Sequence, residues 1–311
     1  MDVVEKFSVT PFPFGDLNRT KLDLPFALDG DIRIDSVEGL LKAEHFSVWK
    51  DFIASDSIDL FEHAKVGLVH EFQSGHITGK DEEDSKDLLQ KAFLCLRVVK
   101  PTRARFSVAQ YRRMKAGGID VFSVVWPAIT RMNLPESEVL NHIDSRDIQE
   151  LKLLWPSFRR LRETGLPHLR RATRYYETGY DALWDVDLQF TTWLMGIEAL
   201  YSEGDEPCTV NTIKSRIVES VGPNTDIYSQ FEARNLYAPD PVFVKDVLDD
   251  MFELRDRFIH GAWTPKSWID KPKRKAISGG LLTWPDVLRE AASFILRAGI
   301  KKQLLSTINS V

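Results

Sequence analysis

The segment Glu253 to Gly261, ELRDRFIHG, contains two side chains that could carry out chemistry together. Arg255 and His260 are separated by four residues. Histidine has an ordinary pKa that lets it give or take a proton near neutrality. Arginine is always charged and can hold two phosphate oxygens, so it can stabilise a developing negative charge. The two residue types suit proton transfer next to such a charge.

A helix must position this pair, and its pattern is unusual. Apolar residues recur at spacings of four and three along one helical face, and Arg255 occupies a place in that stripe; the members are Val244, Leu248, Met251, Arg255 and Phe258. Gly261 is a natural terminator directly after His260. The pattern therefore predicts a helix that ends near His260 and turns one arginine towards the core.

Glu198 borders the core-facing stripe of an earlier helix, between Leu194 and Tyr201. An unpaired buried charge costs several kcal/mol, whereas a paired one is tolerated. We therefore expect Glu198 and Arg255 to meet between the two helices. Such an ion pair could be structural only, and His260 could be a helix-terminal residue without a catalytic role.

Composition limits the class of protein. The 311 residues allow one large domain or two ordinary ones, and 43% hydrophobic with 28% charged residues is typical of a globular protein. Two cysteines form no disulfide framework, which favours a cytoplasmic location. The N-terminal residues lack a secretory signal pattern, and no apolar run approaches the roughly 18 residues of a membrane span.

The charge is unevenly distributed along the chain. Leu151 to Val311 contains 22 basic and 21 acidic residues, so the rest of the chain contains 19 basic and 25 acidic residues. The second half is the better candidate to face a polyanion, although an ordinary solvated surface has the same composition.

Residues 1–155 are expected to form an α+β domain. DIRIDSV and DVFSVVW have the alternation or β-branched content of strands, and SKDLLQKAFLCLRVV has the pattern of a helix. Four of the five histidines here, His45, His63, His70 and His76, lie near one another in the sequence, but their spacings match no metal-ligand pattern, so we assign them no role. No phosphate-binding loop, dinucleotide motif or serine elbow supports catalysis by this domain.

Residues 156–311 are expected to form a helical domain, which makes the whole fold mainly α. Amphipathic helices with short connections predict an antiparallel bundle. The predicted helices are LPHLRRATRYYETGYDAL, DLQFTTWLMGIEALYS, TVNTIKSRIVESVGP, the helix with Arg255, and TWPDVLREAASFILRAGIKKQLL, which begins with a capping box of Thr283 and Asp286.

The segment LRRATRYYETGYDALWDVDLQFTTWLMGIEALYS, followed later by LRDRFIHG, resembles the HEPN superfamily and, more narrowly, its Apea-like group. The likeness covers about Pro167 to Leu305. Its signature is R-x4-H, formed by Arg255 and His260, with the usual polar residue Asp256 after the arginine. The spacing alone is common, so the likeness depends on its position after GIEAL and before glycine.

The resemblance implies a compact helical bundle that commonly dimerises. Many such domains are metal-independent endoribonucleases of toxin–antitoxin, anti-phage or RNA-processing systems, and others are catalytically silent binding modules. In active members the arginine and histidine of two protomers converge on one cleft, so one His260 would act as base and the other as acid. Glu198 would orient Arg255. RNA and a second protomer are the expected partners, and neither a cofactor nor a metal is expected.

Further basic residues are candidates for RNA contact. They are Arg170 and Arg174 on one helical face, and Lys271, Lys273, Arg274 and Lys275 in the loop KPKRK. Arg216, beside the stripe of its helix, is expected to support the site by reaching the same cleft as Arg255 and His260. Tyr175, Tyr176 and Trp263 could stack on bases. Each also has an ordinary explanation as a solvated or core side chain. The alternative function is a catalytically silent module for dimerisation or for binding a nucleotide or partner, with the N-terminal domain responsible for recognition.

Overall fold

A computed structural model describes most of the chain, and the fold is mainly α. The described residues are 3–12, 23–49, 51, 55–72, 78–100, 106–125, 143–161, 166–181, 185–202, 208–229, 241–261, 268, 271, 274–275 and 281–309. They divide into two compact units, the first ending at Arg159 and the second beginning at Arg160. This division lies four residues beyond the expected boundary at 155, because a helix continues through Pro156 as far as Arg159.

The first unit is an α+β unit. Its strands are β1 (Val3–Pro11), β2 (Phe26–Ala27), β3 (Ile32–Ser36), β4 (Val66–Glu71), β5 (Val108–Met114) and β6 (Ile119–Val125). Its helices are a 3-10 turn (Ala43–Phe46), α1 (Ser55–His63), α2 (Gly79–Val99) and α3 (Ser145–Arg159). The segments predicted as strands form β3 and β6, and the predicted helix forms the greater part of α2.

The six strands form one antiparallel sheet in the order β2-β3-β4-β1-β5-β6. Because successive side chains of a strand point to opposite faces, each face has its own neighbours. Phe7, Val9 and Tyr111 pack on one face against the 3-10 turn and α1. Ser8 and Gln110 point to the other face, where helix α2 lies.

A buried polar chain joins the sheet to α2. The Ser85 hydroxyl of α2 donates to Ser8 Oγ at 2.7 Å, and Gln110 Nε2 donates to the same oxygen at 3.0 Å. His70 Nδ1 lies 2.7 Å from Ser85 Oγ at the outer end of this chain. Burial lowers the pKa of His70 below its usual value, although the charge of Asp31 opposes this effect. Folding of the first unit therefore disfavours the charged form of this imidazole.

Within the described residues, the regular structure of the second unit is helical apart from one short two-stranded ladder. Its helices are α4 (Pro167–Asp181), α5 (Val186–Tyr201), α6 (Val210–Val221), α7 (Val244–Ile259) and α8 (Trp284–Asn309). Its ladder pairs β7 (Arg274–Lys275) with β8 (Leu281–Leu282). Helix α8 contacts each of the other four helices. In the described part of the chain, no helix combines the length and the apolar character that crossing a membrane requires.

The predicted stripes form the core of this unit. The apolar residues that recur at spacings of three and four along α4 and α5 are all buried, namely Leu169, Ala172, Tyr176, Tyr180, Phe190, Leu194, Ile197 and Tyr201. Ile213 and Ile217 of α6 are also buried, whereas Val210 and Val221 are only half-buried because they lie at the two ends of that helix. At the start of α8, the Thr283 amide and hydroxyl donate to Asp286 at 2.9 and 2.7 Å, as the capping pattern indicated.

Gly196 allows α5 to approach its neighbours closely, two residues before Glu198. A Cβ at this position would lie 2.6 Å from Leu296 Cδ2 and 3.1 Å from Tyr175 Cβ. We expect Gly196→Ala to lower the stability of the second unit by about 1–2 kcal/mol, because overpacking outweighs the gain of roughly 1 kcal/mol in helix propensity. Gly79→Ala is the matched control, since Gly79 starts α2 with no atom within 4 Å of such a Cβ. Thermal melts of both variants measure the difference, and an unchanged Gly196→Ala protein would contradict the close packing.

The first unit should lose stability as the pH falls below about 6.5, the usual pKa of histidine. The folded-state pKa of His70 is depressed. The unfolded chain therefore binds a proton before the folded unit does, and stability falls as the pH drops through that window. Because a single proton is involved, the free energy of unfolding changes by at most about 1.4 kcal/mol per pH unit.

Hydrogen exchange of the β4 and α2 amides between pH 5 and 8 measures the effect. His70→Asn should remove the His70 share of this slope, and a slope equal to that of the wild type would refute the assignment.

Candidate functional site

Arg255 of α7 and Glu198 of α5 form an ion pair, with Nη1 of the arginine on Oε1 of the glutamate. The side chain of Arg255 is only 14% exposed and that of Glu198 is 30% exposed. The pairing predicted from the sequence is therefore confirmed. A charge in the packing stripe of α7 is tolerated because the facing helix supplies its counter-ion.

Two further contacts fix the orientation of the Arg255 guanidinium. Its Nε and Nη2 both donate to Asp256 Oδ1, at 2.9 and 2.6 Å. Its central carbon lies 5.3 Å from the centre of the Phe252 ring, one helical turn earlier, which is a cation–π contact. The guanidinium is thus held between two carboxylates and an aromatic face. Counted as formal charges, Glu198, Arg255 and Asp256 together carry −1.

His260 ends helix α7 and its side chain is exposed to solvent. Its backbone N–H donates to the Asp256 carbonyl at 3.1 Å, and the Gly261 N–H donates to the Phe258 carbonyl at 3.2 Å. Gly261 has φ +65°, a left-handed conformation that glycine adopts without strain. The predicted helix end is therefore confirmed. It leaves the imidazole on the surface, one residue after an isoleucine whose exposure is 61%.

Exposed apolar side chains also follow one face of α5 towards the ion pair. Leu188 is 54% exposed and Met195, two turns later, is 42% exposed. Glu198 follows three residues after Met195 on the same side of the helix. The Glu198–Arg255 pair therefore lies at the end of a partly apolar surface stripe.

Arg216 of α6 does not join the other charged residues around Arg255. Its Nη1 donates to the Tyr201 carbonyl at 2.5 Å and lies 3.9 Å from Cys208 Sγ. Tyr201 is the last residue of α5, so this carbonyl has no partner within its own helix. Arg216 therefore stabilises the C-terminal end of the helix that carries Glu198.

Arg170 and Arg174 are exposed on one face of α4, at the spacing that was predicted. Within the described ranges, neither guanidinium has a carboxylate partner at ion-pair distance. They therefore remain candidates for contact with a polyanion. In the same helix Tyr176 is fully buried and is a core residue, whereas Tyr175 is half-buried.

Lys271 is tethered to the second unit, with its side chain 35% exposed. Its Nζ donates to Asp250 Oδ2 at 2.5 Å and lies 4.2 Å from the centre of the Trp284 ring. The Trp284 indole N–H donates to the same carboxylate oxygen at 2.7 Å. Lys271 therefore anchors the beginning of its basic segment, and its predicted contact with RNA stays a prediction.

The other residues of that segment add little to the site geometry. Arg274 and Lys275 form β7, and only their backbone belongs to the described structure. Lys273 and Trp263 lie outside the described residues. The predicted contacts of these side chains stay predictions.

Sequence reasoning missed the role of Phe252. Its ring lies against Arg255 and, at 5.6 Å, near the Lys214 ammonium of α6. Lys214 in turn donates to Asp249 at 2.7 Å. The available signal was an aromatic residue three positions before Arg255, which places both on the same side of α7.

One group in the described part of the chain has ligand atoms close enough for a metal ion. Asp59, Glu62 and His63 of α1 bring theirs within 4.8 Å of one another. All three side chains are exposed, and His63 Nδ1 already lies 3.0 Å from the Asp59 carbonyl. The group belongs to the first unit and includes none of the residues around Arg255.

Comparisons with protein-family models, with curated proteins and with solved structures find no match to this chain.

The coupling between Glu198 and Arg255 can be measured with a double-mutant cycle of Glu198→Ala and Arg255→Ala. We expect about 1–2 kcal/mol, since both side chains are shielded from water but remain within reach of it. The matched control is Glu253 with Arg257 on the same helix, an exposed pair at 2.8 Å that should give no more than about 0.5 kcal/mol. Hydrogen exchange of the α5 and α7 amides provides the free energies. Equal coupling energies in both cycles would show that partial burial does not strengthen the ion pair of Arg255.

Proposed function

We propose that this protein is a metal-independent endoribonuclease of the HEPN type, acting as a defence or toxin effector, in which Arg255 and His260 of two protomers form one active site. The observation that carries the proposal is a guanidinium fixed by Glu198, Asp256 and Phe252, five residues before an exposed terminal histidine. A fixed cation and a solvent-accessible imidazole are the groups that phosphodiester cleavage without a metal requires.

In the proposed reaction, one His260 takes the proton of an RNA 2′-hydroxyl, and the oxygen attacks the adjacent phosphorus. Arg255 donates hydrogen bonds to the non-bridging oxygens, whose negative charge grows in the pentavalent intermediate. The bond from phosphorus to the 5′-oxygen then breaks, and the second His260 protonates the leaving oxygen. The products are a 2′,3′-cyclic phosphate and a free 5′-hydroxyl.

The spacing of the pair favours a site shared between two protomers. Five residues along an ideal helix correspond to a net rotation of about 140° and a rise of about 7.5 Å. Within one protomer, the side chains of Arg255 and His260 therefore point in different directions. Two copies related by a two-fold axis can bring one arginine and one histidine to the same phosphate. The exposed apolar side chains Leu188, Met195 and Ile259 supply contact area near such an axis.

The charge around Arg255 favours a second candidate, a catalytically silent module that dimerises or binds a nucleotide or partner. Two carboxylates already contact the guanidinium, so a phosphate must compete with them. Asp256 is the weaker competitor, because its side chain is 58% exposed and its charge is hydrated. For the enzyme, we expect RNA to displace Asp256 while Glu198 keeps the arginine in place.

Cleavage of RNA in excess EDTA tests the proposal. We expect the wild type to cut RNA and to leave cyclic phosphate ends, whereas Arg255→Ala and His260→Ala should each lower the rate by about 100-fold or more. The matched control is Arg257→Ala on the same helix, which removes the same charge two residues away and should retain the wild-type rate. All variants are first compared for folding and for oligomeric state by sedimentation.

The outcomes separate the two candidate functions. Asp256→Asn should lower the KM, because it removes the competing charge, whereas Glu198→Gln should lower kcat, because it releases the guanidinium. A stable dimer that cuts no RNA would support the silent module. Equal cleavage by the wild type and by Arg255→Ala would refute the proposed role of the arginine, and a protein that stays monomeric would refute the shared site.

A further inference from the structure

A row of cationic and aromatic side chains crosses four strands of the sheet in the first unit. Lys6 of β1 lies directly opposite Arg112 of β5, and the Phe72 N–H, just after β4, donates to the Lys6 carbonyl at 3.1 Å. Phe122 of β6 completes the row, with its ring centre 5.4 Å from Lys6 Nζ and 5.1 Å from Arg112 Cζ. All four side chains are half-buried, so part of each faces solvent. We name them the cation–aromatic row.

The row lies on the α2 face of the sheet, beyond the part that α2 covers. Lys6 is two residues before Ser8, so both side chains point to the same face. Ser8 is buried under Ser85 of α2, whereas Lys6 is half-buried. The polar chain beneath α2 therefore ends where the row begins, and His70 packs its ring edge-on at 5.2 Å from Phe72. The described part of the first unit therefore holds the row in place and leaves a part of each of its side chains exposed.

A β-bulge turns Phe122 into the row. Gln110 pairs with Ser123 and Tyr111 pairs with Val121, so Phe122 has no partner on β5. A bulge of this kind redirects a side chain without ending the strand. Val121 stays in the apolar core on the opposite face, while Phe122 joins Lys6 and Arg112. An aromatic ring is thereby placed beside two cations instead of inside the core.

The charge of the row is positive. Arg112 uses Nη2 for an ion pair with Asp120, and no carboxylate in the described ranges lies at ion-pair distance from the Lys6 ammonium. Lys6, Arg112 and Asp120 therefore sum to +1, although the first half of the chain is acidic as a whole. A local cation between two aromatic rings attracts an anion that also has flat apolar faces.

The dimensions of the row fit a short stretch of unpaired nucleotides. Neighbouring strands lie roughly 4.8 Å apart, so the distance from β4 to β6 is about 14 Å. Aromatic rings stack on bases of any sequence, and cations between them hold the phosphates. An acidic peptide would use the cations but not the rings, and an apolar partner would leave the Lys6 charge without a counter-ion.

We propose that the cation–aromatic row binds single-stranded nucleic acid, with Phe72 and Phe122 stacking on bases and Lys6 contacting a phosphate. This binding is independent of cleavage, so it holds for an endoribonuclease and for a silent module alike. It gives the first unit a ligand of its own.

The test uses the full-length His260→Ala protein, so that the probe stays intact. Fluorescein-labelled octamers of uridine and of thymidine are titrated by anisotropy at several salt concentrations. Phe122→Leu, Phe72→Leu and Lys6→Gln are compared with Lys42→Gln, which removes the same charge beside the 3-10 turn on the opposite face. A uridine octamer with one 4-thiouridine is crosslinked in parallel, and mass spectrometry locates the attached peptides, which separates this site from any in the second unit.

Each variant has its own expected result. Each loss of a ring should raise the Kd at least about fivefold without changing its salt dependence, because stacking carries no charge. Lys6→Gln should lower the slope of log Kd against log salt by about 0.7, because each phosphate contact on a single strand contributes about that much to the slope. Lys42→Gln should behave as the parent protein does, and crosslinks should fall on peptides that contain Phe72 or Phe122.

Other results would overturn the inference. They are an unchanged Kd in both ring variants, crosslinks confined to the second unit, or competition by poly-glutamate as strong as that by the uridine octamer. Melting curves confirm that each variant is folded, and two separate ring variants keep the test valid if one of them is unstable. Equal binding of both octamers would indicate stacking and phosphate contact alone, whereas preference for uridine would add a contact with the 2′-hydroxyl; both support the site.

Discussion

The ion pair between Glu198 and Arg255 is the contact on which the position of the proposed catalytic arginine depends. A guanidinium in the packing face of α7 is tolerable only because α5 supplies a carboxylate at the same level. That requirement fixes how the two helices are placed along each other, and Gly196 allows α5 to come close to its other neighbours. Arg216 secures the end of α5 through the Tyr201 carbonyl. The position of the proposed catalytic arginine is therefore set by charge pairing as much as by apolar packing.

The helices and this ion pair could be predicted from the sequence because they depend on local periodicity. Spacings of three and four residues identify the buried stripes of α4, α5 and α7, and a charge inside a stripe requires a partner in another stripe. Gly261 directly after His260 identified the helix end. Each stripe and the helix end are inferred from residues close in the sequence, and the ion pair is inferred by joining two such stripes that are far apart in the sequence; all agree with the structure.

Other contacts depend on tertiary proximity, which periodicity does not contain. Lys271 belongs to a basic loop in the sequence, yet Asp250 and Trp284 hold it, from 21 residues before and 13 residues after it. Arg216 was expected to approach Arg255 but bonds to a helix-terminal carbonyl instead. The alternation of β6 does not reveal the bulge at Phe122, because the bulge is a property of the pairing with β5. Long polar side chains were thus the residues least well assigned.

On the proposed function, the distribution of charge suggests that affinity for RNA and catalysis depend on different residues. The cluster at Arg255 carries −1, so it cannot by itself attract a polyanion, and its carboxylates contribute orientation rather than binding. On the proposed function, affinity for RNA comes from elsewhere, from the exposed arginines of α4 or from the cation–aromatic row of the first unit. Contacts made equally in the ground state and the transition state lower KM and leave kcat unchanged, whereas contacts made only in the transition state raise kcat. On the proposed function, losing the Phe122 ring should therefore raise KM alone, and losing Glu198 should lower kcat alone. A loss of kcat in Phe122→Leu would mean that the first unit takes part in the chemical step and does more than hold the substrate.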